Sequence, residues 1–180
     1  MGKLRFLLPV VLILMMADKN VVATDLENTL LMDLKDGQVV IEMLPDFAPK
    51  HVERIKELVR QKFYDGVVFH RVIEGFMAQG GDPTGTGTGG SGQNLDAEFS
   101  DAQHVRGTLS MARSQNPNSA DSQFFICFAE APHLNGQYTV WGRVVDGMEF
   151  VDQIKRGRGS GGTVSDPDKI IKLRVAGDVD

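Results

Sequence analysis

Cysteine and net positive charge are both scarce in this chain of 180 residues. Its single cysteine, Cys127, excludes an internal disulfide bond. It stands in the apolar run Phe124 to Phe128, where a free cysteine behaves as a small buried hydrophobe. Acidic residues outnumber basic ones by 24 to 19, which gives a formal net charge of -5. A chain of this charge offers no basic surface to a phosphate backbone, so we expect no nucleic acid partner.

The sequence also lacks the spacings that are typical of metal sites and hydrolases. Its four histidines are His51, His70, His104 and His133. None has a second histidine, a cysteine or a carboxylate at the spacing of a known metal motif. Neither a Gly-x-Ser-x-Gly elbow nor a cysteine nucleophile signature accompanies them. We therefore predict no metal site, and we interpret His70 as a structural hydrogen-bonding residue rather than a base.

A glycine-rich stretch covers residues 80–92 and contains the pattern G-x-G-x-x-G at residues 85–90. This pattern is the phosphate-binding fingerprint of dinucleotide sites, but the context differs. Residues 91–94, Ser-Gly-Gln-Asn, do not begin an amphipathic helix, and no Gly-Lys-Ser/Thr occurs. We interpret the stretch as a flexible surface loop and predict no cofactor. The alternative is a nucleotide-binding protein that uses this stretch. Tight binding of ATP or NAD would favour it.

Residues 1–23 differ in composition from the rest of the chain. Basic residues precede an apolar run at residues 6–17, and small residues lead up to Ala23, which is the layout of a secretory signal peptide. The run is too short to span a bilayer, which needs about 20 residues, so we expect no stable membrane span. We predict cleavage after Ala23 and a periplasmic or secreted protein. Pro9 interrupts the run and Met16 could begin a cytosolic protein, so a cytoplasmic location is the alternative.

The chain that follows begins with a hairpin pattern and a helix. Alternating apolar residues from Asn28, a turn at Asp36-Gly37 and a second apolar run over Val39 to Met43 predict an opening β-hairpin. Pro49 suits the first turn of a helix with apolar residues at three- and four-residue spacing. We expect this helix to end near Lys62.

Short strands dominate the remaining pattern, with a single further helix at Met148 to Lys155. The strand candidates are Val67 to Val72, Phe76 to Gln79, Gly107 to Ala112, Phe124 to Phe128, Thr139 to Val144 and Ile170 to Val175. Short strands separated by Gly, Pro, Asn and Asp favour an antiparallel barrel or sandwich over βαβ units. Residues 24–180 therefore predict one mainly β domain, and closure into a barrel would remove its exposed edges.

One segment, Phe69 to Asp82, places an arginine, two large apolar residues and a glutamine close together. Taken singly, Phe76 and Met77 would be ordinary core residues and Arg71 a solvated charge. In combination they resemble the signature of the cyclophilin family of prolyl isomerases nearly residue for residue. The family's other two characteristic blocks are resembled by Leu109 to Ala112 with Ser122 to Ile126, and by Leu134 to Gly136 with Val140 to Gly142. The likeness extends from Asn28 to Val175.

The resemblance implies an eight-stranded antiparallel β-barrel capped by two α-helices. It also implies a cofactor-free peptidyl-prolyl cis/trans isomerase that assists folding, with Arg71 as the catalytic residue. The substrate-binding positions carried over by motif are His70, Phe76, Met77, Gln79, Ala112, Gln123, Phe125, His133, Leu134 and Tyr138. Proline-containing unfolded or flexible polypeptides are the expected partners, and we expect a monomer. The alternative is a Pro-peptide-binding chaperone module with incidental isomerase activity, although binding alone would not require the arginine.

Three departures from the family pattern fall along the groove. His133 stands where many members carry a tryptophan that is associated with binding cyclosporin, so we expect weakened affinity for this cyclic peptide. The stretch Arg113 to Asn118 is one residue longer than the commonest version, and Ala120-Asp121 replaces the usual Asn-Gly. Contacts with the substrate backbone are expected to differ there.

Overall fold

The structure of the protein is a computed structural model that describes residues 25–179. The predicted signal segment, residues 1–23, lies outside the described residues, and so does its predicted cleavage point. Within the described range, no helix combines the length and the apolar character needed to cross a membrane.

In this part of the chain eight antiparallel strands form one sheet, accompanied by two α-helices. The strands are β1 (Thr29–Leu34), β2 (Gly37–Met43), β3 (Arg71–Ile73), β4 (Met77–Gly80), β5 (Thr108–Met111), β6 (Phe124–Cys127), β7 (Val140–Asp146) and β8 (Lys172–Val175), and the helices are α1 (Pro49–Arg60) and α2 (Met148–Val151). The strand order is β3-β4-β6-β5-β7-β2-β1-β8. The predicted mainly β, antiparallel architecture with two helices is confirmed.

The outermost strands of this order, β3 and β8, are joined through the segment that precedes β8. Isolated bridges pair Val68 with Lys169 and Arg71 with Thr163. Backbone hydrogen bonds of 2.8 to 3.1 Å beside these bridges continue the contact. The sheet is thereby curved into a half-barrel, and the segment that leads into β8 covers the outer edge of β3.

The opening hairpin turns one residue earlier than predicted. Leu34 pairs with Gly37, so the turn residues are Lys35 and Asp36. Gly37 is instead the first residue of β2, and the ring of Phe150 packs directly on it. A Cβ atom at position 37 would lie 2.5 Å from atoms of that ring. Glycine permits this close approach of the Phe150 ring to the strand backbone.

Helix α1 covers one end of the barrel. Pro49 occupies its first turn, as predicted, and the helix ends at Arg60, shortly before the predicted Lys62. Lys62 adopts a left-handed backbone conformation with a φ of 59°, which cannot continue a helix. The buried side chains of α1 are His51, Val52, Ile55, Leu58 and Val59. Their three- and four-residue spacing makes one apolar face.

Helix α2 is shorter than predicted, since it ends at Val151 and not at Lys155. Beyond Val151 the backbone hydrogen bonds tighten to residues three positions back. The N–H group of Lys155 then donates to the carboxylate of Asp168 at 2.7 Å. Because this donor is used outside the helix, the α-helical pattern cannot extend to it.

Side chains alternate between the barrel interior and a second cluster on its outer face. Along β6, Phe124 and Ile126 belong to the interior core, whereas Phe125 and Cys127 belong to the second cluster. Alternation along a strand produces this division. The second cluster comprises Met77, Phe125, Cys127, Ala131 and Leu134, with Ile73, Phe76, Ala112 and Tyr138 packed against it. The apolar run of β6 is continuous because both of its faces are buried.

Candidate active site

The second cluster forms the base of an open pocket of about 190 Å³, which we call the apolar pocket. Its lining residues are Arg71, Phe76, Met77, Gln79, Ala112, Arg113, Phe125, Leu134 and Tyr138. Strands β4 and β6 are neighbours with Gln79 opposite Phe125, so their outward-facing side chains meet. An apolar pocket with a few polar groups at its edge is the usual form of a small-ligand site.

Arg71 lies at the edge of the apolar pocket, in β3 and opposite Gln79. Its Nε–H group donates to Gly161 O at 3.0 Å, and its Nη1 donates to Gln79 Oε1 at 3.1 Å. Both acceptors are neutral, so neither cancels the guanidinium charge. Arg71 is therefore held by two partners as a fixed, positively charged donor beside the pocket.

Phe125 forms the floor of the apolar pocket and is supported by two further rings. His104 stacks against it with ring centroids 6.1 Å apart, and Tyr138 meets it edge-on at 5.9 Å. His104 is buried, and its Nε2 lies 3.0 Å from Ser110 Oγ. Burial lowers the pKa of His104, so the imidazole is neutral at physiological pH. His104 is absent from the sequence-derived site because no local motif distinguishes it.

A second, more polar pocket of about 380 Å³, which we call the polar pocket, adjoins the first. Its lining residues are Gln79, Gly87, Thr88, Gly89, Gly90, Asn94, Ala112, Arg113, Ser114, Ser119, Asp121 and Gln123. Gln79, Ala112 and Arg113 line both pockets. The two pockets therefore form one continuous groove, in which an extended peptide could place neighbouring residues.

Arg113 separates the two pockets, although the motifs did not include it among the site residues. Its guanidinium lies over the ring of Tyr138, 4.6 Å from the centroid. It also donates to the carbonyl groups of Ser114, Gln115 and Gln137 over 2.8 to 3.3 Å. In the sequence Arg113 is marked only as the start of the stretch that is one residue longer than the family pattern.

Three of the predicted site residues lie beside the apolar pocket and not in its lining. Gln123 lines the polar pocket, and His133 is exposed at the rim with its ring 5.6 Å from that of Phe76. His70 is buried, and its ring packs against Gly87. Within the described residues its Nδ1 has no hydrogen-bond partner, so the hydrogen-bonding role expected for His70 is not seen at this atom.

The groove offers apolar binding surface and the fixed guanidinium groups of Arg71 and Arg113. Cys127, in the second cluster, is buried, and burial raises the pKa of its thiol to about 12, so it stays protonated. Among residues 25–179, no three His, Cys, Asp or Glu side chains are grouped so that they could hold a metal ion.

Comparison with protein families and curated sequences agrees with this geometry. The model of the family described as cyclophilin type peptidyl-prolyl cis-trans isomerase/CLD matches residues 29–175. A probable peptidyl-prolyl cis-trans isomerase of Brucella suis is 56% identical over 169 residues, with 87% of this chain and 86% of the relative covered. Peptidyl-prolyl cis-trans isomerase-like 3 of Homo sapiens is 43% identical over 125 residues, with 67% of this chain and 77% of the relative covered.

Solved structures of similar fold are cyclophilins. Cyclophilin AquaCyp293 from Hirschia baltica has a TM-score of 0.77 at 28% identity and covers 87% of this chain and 76% of its own. A cyclophilin type isomerase of Cryptosporidium parvum, solved in the presence of the dipeptide Ala-Pro, has a TM-score of 0.76 at 32% identity, with coverages of 82% and 98%. The chain belongs to the cyclophilin-type peptidyl-prolyl cis-trans isomerases. This membership confirms the family resemblance, the fold and the prolyl isomerase function that the motifs predicted.

Proposed function

We propose that the groove catalyses rotation about X-Pro bonds with the proline ring in the apolar pocket and Arg71 donating to the prolyl nitrogen. The observation that carries this proposal is the fixed guanidinium beside an apolar pocket whose floor is Phe125. The dipeptide Ala-Pro that accompanies the Cryptosporidium parvum structure supports a proline-containing ligand for the same kind of groove.

The reaction requires stabilisation of a twisted peptide bond. Partial double-bond character gives a rotation barrier of about 18 to 20 kcal/mol, so uncatalysed X-Pro isomerisation takes tens to hundreds of seconds. In the twisted state amide resonance is lost and the prolyl nitrogen regains its lone pair. A hydrogen bond from Arg71 to that lone pair is favourable in the twisted state and weak in the planar states, which is selective transition-state stabilisation. No proton is transferred and no covalent bond is broken.

The other lining residues hold the ring and the arginine in place. Met77 and Leu134 are buried apolar walls against which the proline ring packs. Gln79 orients the guanidinium through its Oε1. Ala112 lies between the pockets, and its small side chain leaves room for the carbonyl before proline to turn.

The substrates we propose are unfolded or flexible polypeptides, and the compartment is the periplasm or another secretory space. The proposed substrates follow from the open form of the groove, which accepts an extended chain. The proposed compartment follows from the composition of residues 1–23, which has the layout of a signal peptide. We propose that the protein acts there as a monomeric folding catalyst.

A protease-coupled isomerisation assay on a short Xaa-Pro peptide tests the catalytic role of Arg71. We expect Arg71→Ala to lower kcat/KM by at least about tenfold, which is about 1.4 kcal/mol of lost transition-state stabilisation. Arg143→Ala is the matched control, because Arg143 pairs with Glu42 across β2 and β7 and lines neither pocket. Activity of Arg71→Ala within about twofold of the unmodified protein would refute the proposed role.

A further inference from the structure

The glycine-rich loop is organised around one fully buried carboxylate, that of Asp82. Its Oδ1 accepts hydrogen bonds from the N–H of Thr84 at 2.7 Å and from the hydroxyl of Thr84 at 2.8 Å. Its Oδ2 accepts from the N–H groups of Gly87 at 2.6 Å, Gly89 at 3.0 Å and Thr86 at 3.2 Å. Burial alone would raise the pKa of Asp82, yet these hydrogen bonds together outweigh it and hold the pKa well below its ordinary value. The loop therefore folds around a permanent negative charge.

Gly87 and Gly89 connect this carboxylate to the groove, because each forms hydrogen bonds through both its backbone N–H and its backbone carbonyl. Their N–H groups donate to Asp82, and their carbonyl groups accept from Nε2 of Gln123 at 3.0 and 2.8 Å. At position 89 a Cβ atom would overlap the carboxylate of Asp82, so glycine permits the close approach. Two carbonyl groups are thus fixed opposite Gln123.

From Gln123 the hydrogen bonds run to Arg71 with a defined direction. Because Nε2 of Gln123 donates to the loop carbonyls, its Oε1 is left to accept from Nε2 of Gln79, at 3.0 Å. Gln79 then presents its own Oε1 to Nη1 of Arg71. The loop carbonyls can only accept hydrogen bonds, and the guanidinium of Arg71 can only donate them. The two ends of this series of hydrogen bonds therefore require the same orientations of the Gln123 and Gln79 side-chain amides.

We propose that Asp82 is a positioning residue for the isomerase reaction, which acts through the loop carbonyls, Gln123 and Gln79 to hold Arg71 in place. This inference rests on the catalytic role proposed for Arg71. Without the carboxylate the carbonyls of the loop lose their fixed position, the two amides can rotate, and Arg71 keeps a single defined partner at Gly161. Since small misplacements of a reacting group can lower rates by up to about a hundredfold, a loss of about five- to tenfold is expected with one partner retained.

The first experiment measures kcat and KM of Asp82→Asn by NMR exchange on a blocked Xaa-Pro dipeptide, which is too short to fill both pockets. We expect kcat to fall by about five- to tenfold while KM stays within about twofold, because the apolar pocket is unchanged. Asp168→Asn is the matched control. Its carboxylate also accepts a backbone N–H, that of Lys155, but has no hydrogen bond into the groove. A change in KM alone, or an equal loss in the control, would overturn the proposal.

A second experiment separates positioning from a purely structural role. Gln79→Ala cuts the chain of hydrogen bonds between Gln123 and Arg71, so adding Asp82→Asn to it should change kcat by less than about twofold. Losses that multiply would show that Asp82 acts independently of Gln79 and would overturn the proposal. The Nε–H NMR signal of Arg71 should shift or broaden in Asp82→Asn and not in the Asp168→Asn control.

A milder variant serves if Asp82→Asn does not fold. Thr84→Val leaves the carboxylate in place and removes one donor from an exposed side chain. We expect a loss of about twofold in kcat and a shift of the Arg71 signal in the same direction. No change in either would overturn the positioning role. Arg71→Ala separates the proposed function from the positioning role. Normal activity of Arg71→Ala would refute the proposed function itself. A loss of activity in Arg71→Ala together with normal activity of Asp82→Asn would refute only the positioning role.

Discussion

Glu98 caps helix α1 from a distant part of the chain, and its removal should lower stability in a pH-dependent way. Its carboxylate accepts from the N–H groups of Lys50 and His51 at 3.1 and 3.0 Å and lies 2.6 Å from His51 Nδ1. The N-cap residue itself, Ala48, makes no side-chain cap. Losing a cap costs about 1 kcal/mol and losing a charge at a helix N-terminus costs up to about 1 kcal/mol more, so Glu98→Gln should cost about 2 kcal/mol. In a domain of this size that lowers Tm by about 4 to 8 °C.

The pH dependence has a definite sign. Burial alone would raise the pKa of Glu98, but the hydrogen bonds from His51 and Lys50 outweigh it and lower the pKa below 4.5 in the folded protein. A carboxyl whose folded pKa is lowered contributes stability that is present above its unfolded pKa and is lost as pH falls through the folded value. The difference in stability between the unmodified protein and Glu98→Gln should therefore be full at pH 7 and shrink progressively below pH 4.5.

Thermal unfolding of both proteins between pH 3 and 7 measures this difference. Glu53→Gln is the control, because Glu53 lies on the exposed face of α1 and should change stability by less than about 0.5 kcal/mol. Equal Tm values at pH 7, or a difference that does not shrink at low pH, would show that Glu98 does not cap the helix.

Three further outcomes are expected. His133→Trp should tighten inhibition by cyclosporin by about 1 to 3 kcal/mol while changing peptide turnover much less, because an indole adds apolar area at the rim beside Phe76; equal inhibition constants in one isomerase assay would contradict this. Gly37→Ala should destabilise the domain by about 1 to 3 kcal/mol in urea unfolding, since the new methyl meets Phe150, and Phe150→Leu should recover part of the loss. The mature protein isolated from cells should begin near Thr24 by mass spectrometry, whereas a soluble cytosolic form that begins at Met1 or Met16 would refute export.

The strands and helices could be predicted because their signals are local. Turn residues, alternation and the proline of α1 lie within the segments they define. The differences lie at the turn of the first hairpin and at the end of α2. Gly37 meets the ring of Phe150, and the N–H of Lys155 is taken by Asp168, and the sequence next to each position shows neither contact.

The motifs indicated which residues line the candidate site, but they did not indicate the residues that support this lining. The run Phe124 to Cys127 predicted a strand, but its apolar character on both faces could not show which side chains point into the groove. His104 meets Phe125 only in the folded barrel. Asp82 followed by Thr84 has the local pattern of a side-chain turn and could have been recognised. Its link to Gln123 could not, because the hydrogen bond to the loop joins residues 36 positions apart.

The central claim is that Arg71 stabilises the twisted peptide bond and does not merely bind the peptide. The most direct test compares Arg71→Ala with the unmodified protein in one NMR titration of an Xaa-Pro peptide, which yields both Kd and the rate of cis/trans exchange in the bound state. We expect Kd to stay within about threefold while bound-state exchange slows by at least about tenfold. A weaker Kd with an unchanged exchange rate would contradict the claim, because Arg71 would then contribute to binding alone.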